Sequence, residues 1–395
     1  MKVAVHLREM APEAGGGHTY ETDILDALAV ARGSTRHEIV AAGYADDPPR
    51  GWDAGSYISL RTNLRRGFRG KVRNRIASSG WFGGSRAGRD PVDRVLESNS
   101  IDLVWCLAAG TPTRKLPYVT TIWDLQHRIQ PVFPEVGSAK EWAGREAFFS
   151  REIGGATAVI VGTRAGQAEV ERFYGVPPER IRKLPHPTPG FALEAPETED
   201  GEALARYGLA PGYLLYPAQF WAHKNHVGLL HALKLLRDEH KLSLQAVFVG
   251  SDKGNEAHVR HAAESLGLGG QVRFLGFVPR SDLVMLYRHA FALAYVTFFG
   301  PENLPPLEAF ALGCPVVASD VAGAAEQLGD CALLAPPTDE SLIAAALLSL
   351  HRDEGLRRRL IERGHARARA YTADHYAKGM FDIMDEIEPV VRTWR

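Results

Sequence analysis

Short apolar runs alternate with amphipathic segments along nearly the whole chain, and this alternation restricts the available folds more than any other feature. Residues 2–7, 38–43, 101–107, 118–123 and 158–162 read as strands in the first half; 213–217, 244–250, 272–275, 291–295, 315–319 and 332–334 do so in the second. Several are nearly continuous in Val, Ile, Leu and Phe, as strands covered on both faces must be. Helical patterns lie between them at 139–153, 164–174, 225–238 and 341–350. Strand and helix in alternation predict an α/β fold whose parallel sheets are joined by right-handed crossovers.

A chain of 395 residues is long for one such sheet, so two domains are expected. The boundary shows in Pro185-His186-Pro187-Thr188-Pro189-Gly190, followed by an acidic stretch from Glu194 to Glu202. Proline holds this backbone extended and marks a linker. The expected organisation is an N-terminal doubly wound domain over 1–190 and a second over 191–372. A last helix at about 373–395 is expected to pack back on the first domain. Open α/β sheets bind ligands outside the carboxyl ends of their strands, which predicts a cleft between the two domains.

Net charge is −1, so the molecule as a whole offers no electrostatic reason to bind nucleic acid. One stretch departs from that balance. Between Arg61 and Arg89 lie Arg65, Arg66, Arg69, Lys71, Arg73, Arg75 and Arg86, with no acidic residue and with Phe68, Trp81 and Phe82 interleaved. Such a segment can attract an anionic acceptor or an anionic membrane surface; a solvated loop is the alternative reading. The three cysteines, Cys106, Cys314 and Cys331, sit in apolar surroundings without metal-ligand spacing and read as core thiols. Residues 1–7 read as a buried strand, not as a signal peptide. A cytoplasmic protein is expected, with peripheral contact at the inner face of the membrane left open.

The residues with chemical potential cluster at strand ends. The stretch from Phe298 to Ser319 reads as strand end, tight loop, helix and strand, with Pro305 and Pro306 in a first helical turn. The start of that helix, at Asn303-Leu304, is expected to hold an anion, with Glu302 nearby. Glu308 falls one turn further in, where a carboxylate can accept ribose hydroxyls. Upstream, Tyr216 to His226 ends a strand and opens a helix, which places Lys224 for a diphosphate. In the first half, Gly15-Gly16-Gly17-His18 follows the first strand, and Gly16 and Gly17 let backbone approach a phosphate. Asp124 and His127 follow another strand and could bind sugar hydroxyls or manage the acceptor proton. Arg128, Glu141 and Arg145 are candidates for the acceptor side.

The motifs around Lys224 and Glu308 resemble the second half of the retaining "glycosyl transferases group 1" proteins, glycosyltransferase family 4. The resemblance continues in Val249-Gly250-Ser251, in Val272 through Pro279, in Asp282-Leu283 through Tyr287 and in Val161-Gly162-Thr163. It implies the GT-B fold, two Rossmann-like domains facing a central cleft. It also implies a nucleotide-diphosphate sugar donor, with Phe277 and Val278 bordering the base, Lys224 on the diphosphate and Glu308 on the ribose. Retention of anomeric configuration is implied as well. The family's paired glutamates would place the first at Gly300, and its arginine five residues before the lysine at Gln219. Similar proteins often carry His-Asp where this chain has Trp123-Asp124.

These readings give a metal-independent, cofactor-free glycosyltransferase that moves a hexosyl or deoxyhexosyl unit. Its acceptor would be a glycan, a lipid-linked sugar or a small-molecule hydroxyl. The expected donor site is Gly16, Gly17, Gln219, Lys224, Phe277, Val278, Glu302, Asn303, Leu304 and Glu308. The catalytic candidates are Asp124 and His127, and the acceptor candidates Arg65, Arg66, Arg69 and Arg128. A nucleotide-sugar epimerase of the same fold and a non-catalytic nucleotide-sugar-binding protein remain the alternatives.

Overall fold

The computed structural model describes residues 1–9, 15–61, 90–196 and 202–393. The basic stretch after Arg61, with Arg65, Arg66 and Arg69, therefore lies outside the described residues. Arg61 itself pairs with Asp46.

Two parallel sheets are formed. The first orders its strands β3-β2-β1-β4-β5-β6-β7, from Lys2–His6 (β1), Glu38–Gly43 (β2), Tyr57–Ser59 (β3), Leu103–Cys106 (β4), Tyr118–Thr121 (β5), Ala158–Val161 (β6) and Ile181–Lys183 (β7). The second orders them β10-β9-β8-β11-β12-β13, from Tyr213–Pro217 (β8), Ala246–Val249 (β9), Val272–Gly276 (β10), Ala290–Tyr295 (β11), Val316–Ser319 (β12) and Ala332–Ala335 (β13). Strand order reverses beside β1 and beside β8, so each sheet has a switch point at which its loops part and leave a crevice. Together the two doubly wound domains make the GT-B architecture.

Alternate residues explain why the strands are apolar throughout. In β1, Val3 and Val5 join one buried cluster and Ala4 another; in β4, Leu103 and Trp105 face one way, Val104 and Cys106 the other. Helices cover both faces. The three thiols are buried and free, and burial pushes that of Cys314 up to about 12.

The helices that matter for the site are Gly16–Ala31 (α1), Ala139–Gly154 (α2), Arg164–Tyr174 (α3), His226–His240 (α4), Arg280–His289 (α5), Leu304–Ala311 (α6) and Ala373–Arg392 (α7). The last of these lies against α1, where the Tyr20 and Tyr376 hydroxyls meet at 2.6 Å, so the chain's end returns to the first domain. The two crossings run side by side: Thr188 N–H donates to the Tyr371 carbonyl at 2.7 Å. No helix among the described residues is long and apolar enough to cross a membrane.

Candidate functional site

The cleft between the domains holds a cavity of about 990 Å³. Loops after β1 and β5 line it from one side, and loops after β8, β9, β10 and β11 from the other. Pockets of this size take molecules as large as a nucleotide sugar.

On the second-domain side, Lys224 is fixed by its neighbour. Asn225 adopts a left-handed backbone (φ 53°) and caps α4, its Oδ1 accepting from Gly228 N–H at 3.2 Å. Its amide nitrogen donates to the Val296 and Pro337 carbonyls at 2.9 and 2.8 Å. The turn is thereby pinned to β11, and the Lys224 ammonium reaches the Tyr295 hydroxyl at 3.0 Å and lies over that ring. Sequence reasoning found Lys224 but not the residue that orients it. Gln219 also lines the cleft, and its Oε1 accepts from the Trp221 indole at 3.0 Å.

Glu308 is buried at the floor of the cavity, where the Tyr287 hydroxyl donates to Oε2 at 2.7 Å. Burial pushes its carboxyl up to about 7, against the pull of Tyr287 and of Arg280. Phe277 stands 60% exposed at the mouth with Val278 buried beside it, a free ring next to an apolar wall. Arg280, which the sequence reading did not single out, lines the cleft and reaches across to Thr19 Oγ1 at 3.0 Å.

The start of α6 requires a correction. Pro305 and Pro306 occupy its second and third positions and carry no N–H, while the Asn303 N–H donates to Gln327 Oε1 at 3.0 Å. At this cleft-lining helix start the dipole and the Leu304 N–H remain for the anion expected there, with the Asn303 N–H engaged and the two prolines lacking one. Opposite it stands the glycine loop. Gly15 caps α1 at φ 79°, and a Cβ on Gly16 would come 3.3 Å from Leu304 Cδ1, so the two walls nearly touch here. Gly16 and Gly17 head a sixteen-residue helix and carry no Cβ to screen its amides.

Glu302 is placed differently from expectation. Its residue lines the cleft, yet the side chain is only 3% exposed and turns into the joint between the domains. There it accepts from His186 N–H at 2.7 Å and presses on Gly162, where any Cβ would collide with the carboxyl. Burial raises it to about 8 and lowers His186 to about 3, so both are neutral near neutrality.

On the first-domain side, Trp123 and Asp124 face the cavity. Asp124 Oδ1 accepts from Arg145 Nη2 at 3.2 Å, and both residues line the cleft. The Trp123 indole nitrogen is buried without a partner in the described structure. His127 and Arg128, in contrast, point away. His127 is fully buried behind the cleft, stacked on Phe149 at 5.3 Å with Nε2 3.2 Å from Glu146 Oε2. Arg128 Nε donates to that same oxygen at 2.7 Å. Both were expected at the cleft because they follow a strand end, but the short helix that carries them, Gln126–Ile129, turns them under α2. Glu141 is exposed near the start of α2.

Two facing Rossmann-like domains with a cation, a glycine loop and a buried carboxyl around one cleft define a protein of the GT-B class. Residues 208–367 match the family described as "Glycosyl transferases group 1". The D-inositol 3-phosphate glycosyltransferase of Frankia alni is 31% identical over 278 residues, 67% of this chain and 67% of that protein. The O-antigen chain mannosyltransferase B of Escherichia coli is 31% identical over 207 residues, 52% of this chain and 54% of that protein. The sucrose-phosphate synthase of Thermosynechococcus elongatus superposes with a TM-score of 0.72 at 18% identity, covering 98% of this chain and 99% of that one, which establishes a shared fold. The chain spans between about half and two thirds of the length of these two curated relatives. The chain belongs to the glycosyl transferases group 1 family.

Proposed function

We propose that this protein transfers a glycosyl unit from a nucleotide-diphosphate sugar to a hydroxyl acceptor, with retention of configuration and without a divalent ion. The observation that carries the reading is the convergence of Lys224, the glycine-headed end of α1 and the Leu304 end of α6 on one cavity floored by Glu308. Two helix ends and a lysine offer a diphosphate fixed positive charge. Glu308, with one oxygen engaged by Tyr287, faces the cavity as a ribose acceptor. The exposed Phe277 ring suits a base.

In transfer, the bond between the anomeric carbon and the phosphate oxygen breaks and a bond to the acceptor oxygen forms, while the acceptor's proton is released. Fixed donors placed where the departing phosphate gains charge stabilise that step better than water does. Lys224, the Gly16–Gly17 amides and the Leu304 N–H are the groups positioned for it. Asp124, held by Arg145, is the candidate for a hydroxyl of the sugar or acceptor. The acceptor enters from the first domain; the mannosyltransferase and inositol-phosphate relatives favour a sugar-bearing or phosphate-bearing alcohol. The basic stretch from Arg61 to Arg89, through Arg65, Arg66 and Arg69, is proposed to draw in an anionic acceptor or to rest on an anionic membrane face.

The test has two stages. UDP-, GDP- and dTDP-sugars are screened for thermal stabilisation, since a ligand of the folded state raises stability by mass action. The stabilising donor is then incubated with and without hydroxyl acceptors, in the presence of EDTA. Acceptor-dependent release of nucleoside diphosphate supports a transferase. Interconversion of the sugar without acceptor would indicate an epimerase, and binding without turnover a carrier.

A further inference from the structure

Beyond the glycine loop, a second stretch of the first domain reaches the second. After the short helix that ends at Ile129, residues 130–136 meet two loops of the second domain, the one that bears Lys224 and the one after β11. Gln130 donates its side-chain amide to the Phe298 carbonyl at 3.0 Å. The Phe133 ring packs between Phe298 and Phe299, with centroids at 5.3 and 5.6 Å. The polar centre of this contact is Glu135, whose Oε1 accepts from the His223 backbone N–H at 3.0 Å and meets the ring Nδ1 at 2.5 Å. Both side chains are about nine-tenths buried, at 8% and 10% exposure.

His223 ties this contact to the site. It immediately precedes Lys224, and its ring stacks on Phe299 at 3.9 Å, the residue before Gly300. Glu135, His223, Lys224, Phe299 and Gly300 all line the cavity. Burial opposes ionisation of Glu135, yet the hydrogen bonds from His223 outweigh it and hold the carboxyl below its ordinary value. Burial, with Lys224 adding to it, holds the His223 ring down at about 4. The pair is thus a neutral imidazole donating to a carboxylate, a charge-assisted bond across the domain boundary. Opening the cleft would expose both groups to water.

We propose that Glu135 is a positioning residue of the transfer reaction: its carboxylate clasps the His223 turn, holds the first domain against the Lys224 loop, and so fixes the closed cleft in which turnover occurs. This rests on the transferase reading given above. The second domain holds Lys224 by itself, through Asn225 and Tyr295. Glu135 therefore acts on closure and not on the grip of the diphosphate. Closure of domains around a substrate completes the catalytic arrangement and sets kcat in many enzymes.

The experiment compares full-length wild type with Glu135→Ala and Glu135→Gln. It measures release of nucleoside diphosphate from GDP-mannose and UDP-glucose, calorimetric affinity for GDP and UDP, and radius of gyration by X-ray scattering. Glu135→Ala should lose roughly tenfold or more in kcat, keep GDP and UDP affinity within about threefold, and scatter as a more open molecule. Glu135→Gln retains an oxygen that accepts both His223 donors and should stay within about threefold of wild-type kcat. An Ala variant with wild-type kcat and radius overturns the proposal. So does a loss of diphosphate affinity as large as the loss of kcat, or a Gln variant as impaired as Ala. If wild type itself releases nothing from either donor, the transferase reading fails for those donors; the scattering comparison still decides the clasp, and equal radii reject it.

Discussion

The Tyr287 hydroxyl donates to Glu308 Oε2 at 2.7 Å on the floor of the cleft, and that bond offsets only part of the cost of burying the carboxyl. Glu308 consequently titrates near neutrality, at about 7. As a ribose acceptor it works best ionised, so donor affinity should rise as pH increases through that value and level off above it. Nucleotide sugars carry no phosphate ionisation in this range, which makes GDP-mannose and UDP-glucose clean probes. Calorimetry from pH 5.5 to 8.5 should show a gain of roughly five- to tenfold for wild type. Glu308→Gln should bind more weakly and show no such rise. Parallel pH profiles for the two proteins would remove Glu308 from the ribose.

Lys224 supplies the cation nearest the expected diphosphate, and the turn that carries it is held by Asn225 whatever its own side chain. Lys224→Ala should therefore leave the melting temperature nearly unchanged. It should weaken nucleotide-sugar binding by roughly ten- to hundredfold, the loss of a hydrogen bond to a charged group worth about 1.5–3 kcal/mol. Wild-type affinity in that variant would move the diphosphate elsewhere in the cleft.

Most of the fold was legible because doubly wound sheets advertise themselves through buried apolar strands. The two strands missed, β3 and β7, are the outermost in their sheet, three residues each, and too short for any pattern. Lys224, presented by local backbone, was readable from a strand end, whereas Phe277 and Val278 came only from the family resemblance. Residues defined by pairing between the domains were not readable: nothing in sequence joins Glu135 to His223, or Glu302 to His186 and Gly162. Gly300 shows the same limit from the other side. The family pattern expects a glutamate there, but its φ of +125° and the Asn303 side chain 2.7 Å from any added Cβ make glycine the residue this loop needs. His127 misled because following a strand end does not settle which way a short helix turns its side chains.

His127 serves structure in this arrangement, and its replacement separates stability from activity. His127→Ala would unstack Phe149 and remove a neighbour of Glu146 and of the Tyr174 hydroxyl, 3.3 Å from Nε2. A cost of about 1–3 kcal/mol in stability is expected for such a loss. Measured well below the lowered melting temperature, donor affinity and kcat should stay within about twofold of wild type. A large drop in kcat with unchanged melting would restore His127 to the catalytic group.

Glu302 offers the sharpest dependence of stability on pH. Its carboxyl is enclosed by His186, Gly162 and the Tyr20–Tyr376 pair, with the Lys183–Glu326 bridge beyond. Burial lifts it from the unfolded value near 4.5 to about 8, with Glu326 adding and Lys183 opposing. Between those two values the folded chain holds a proton that the unfolded chain has released. The stability due to this group must then fall as pH rises across the window, and its full cost, a few kcal/mol, is present above it. Glu302→Gln keeps an oxygen for the His186 N–H and cannot ionise. Wild type and variant should melt at nearly the same temperature at pH 5, and the variant should be the more stable by roughly 5 °C or more at pH 9. A melting difference that is the same at every pH would mean that Glu302 does not titrate in this joint, and that the two domains meet there without a proton held between them.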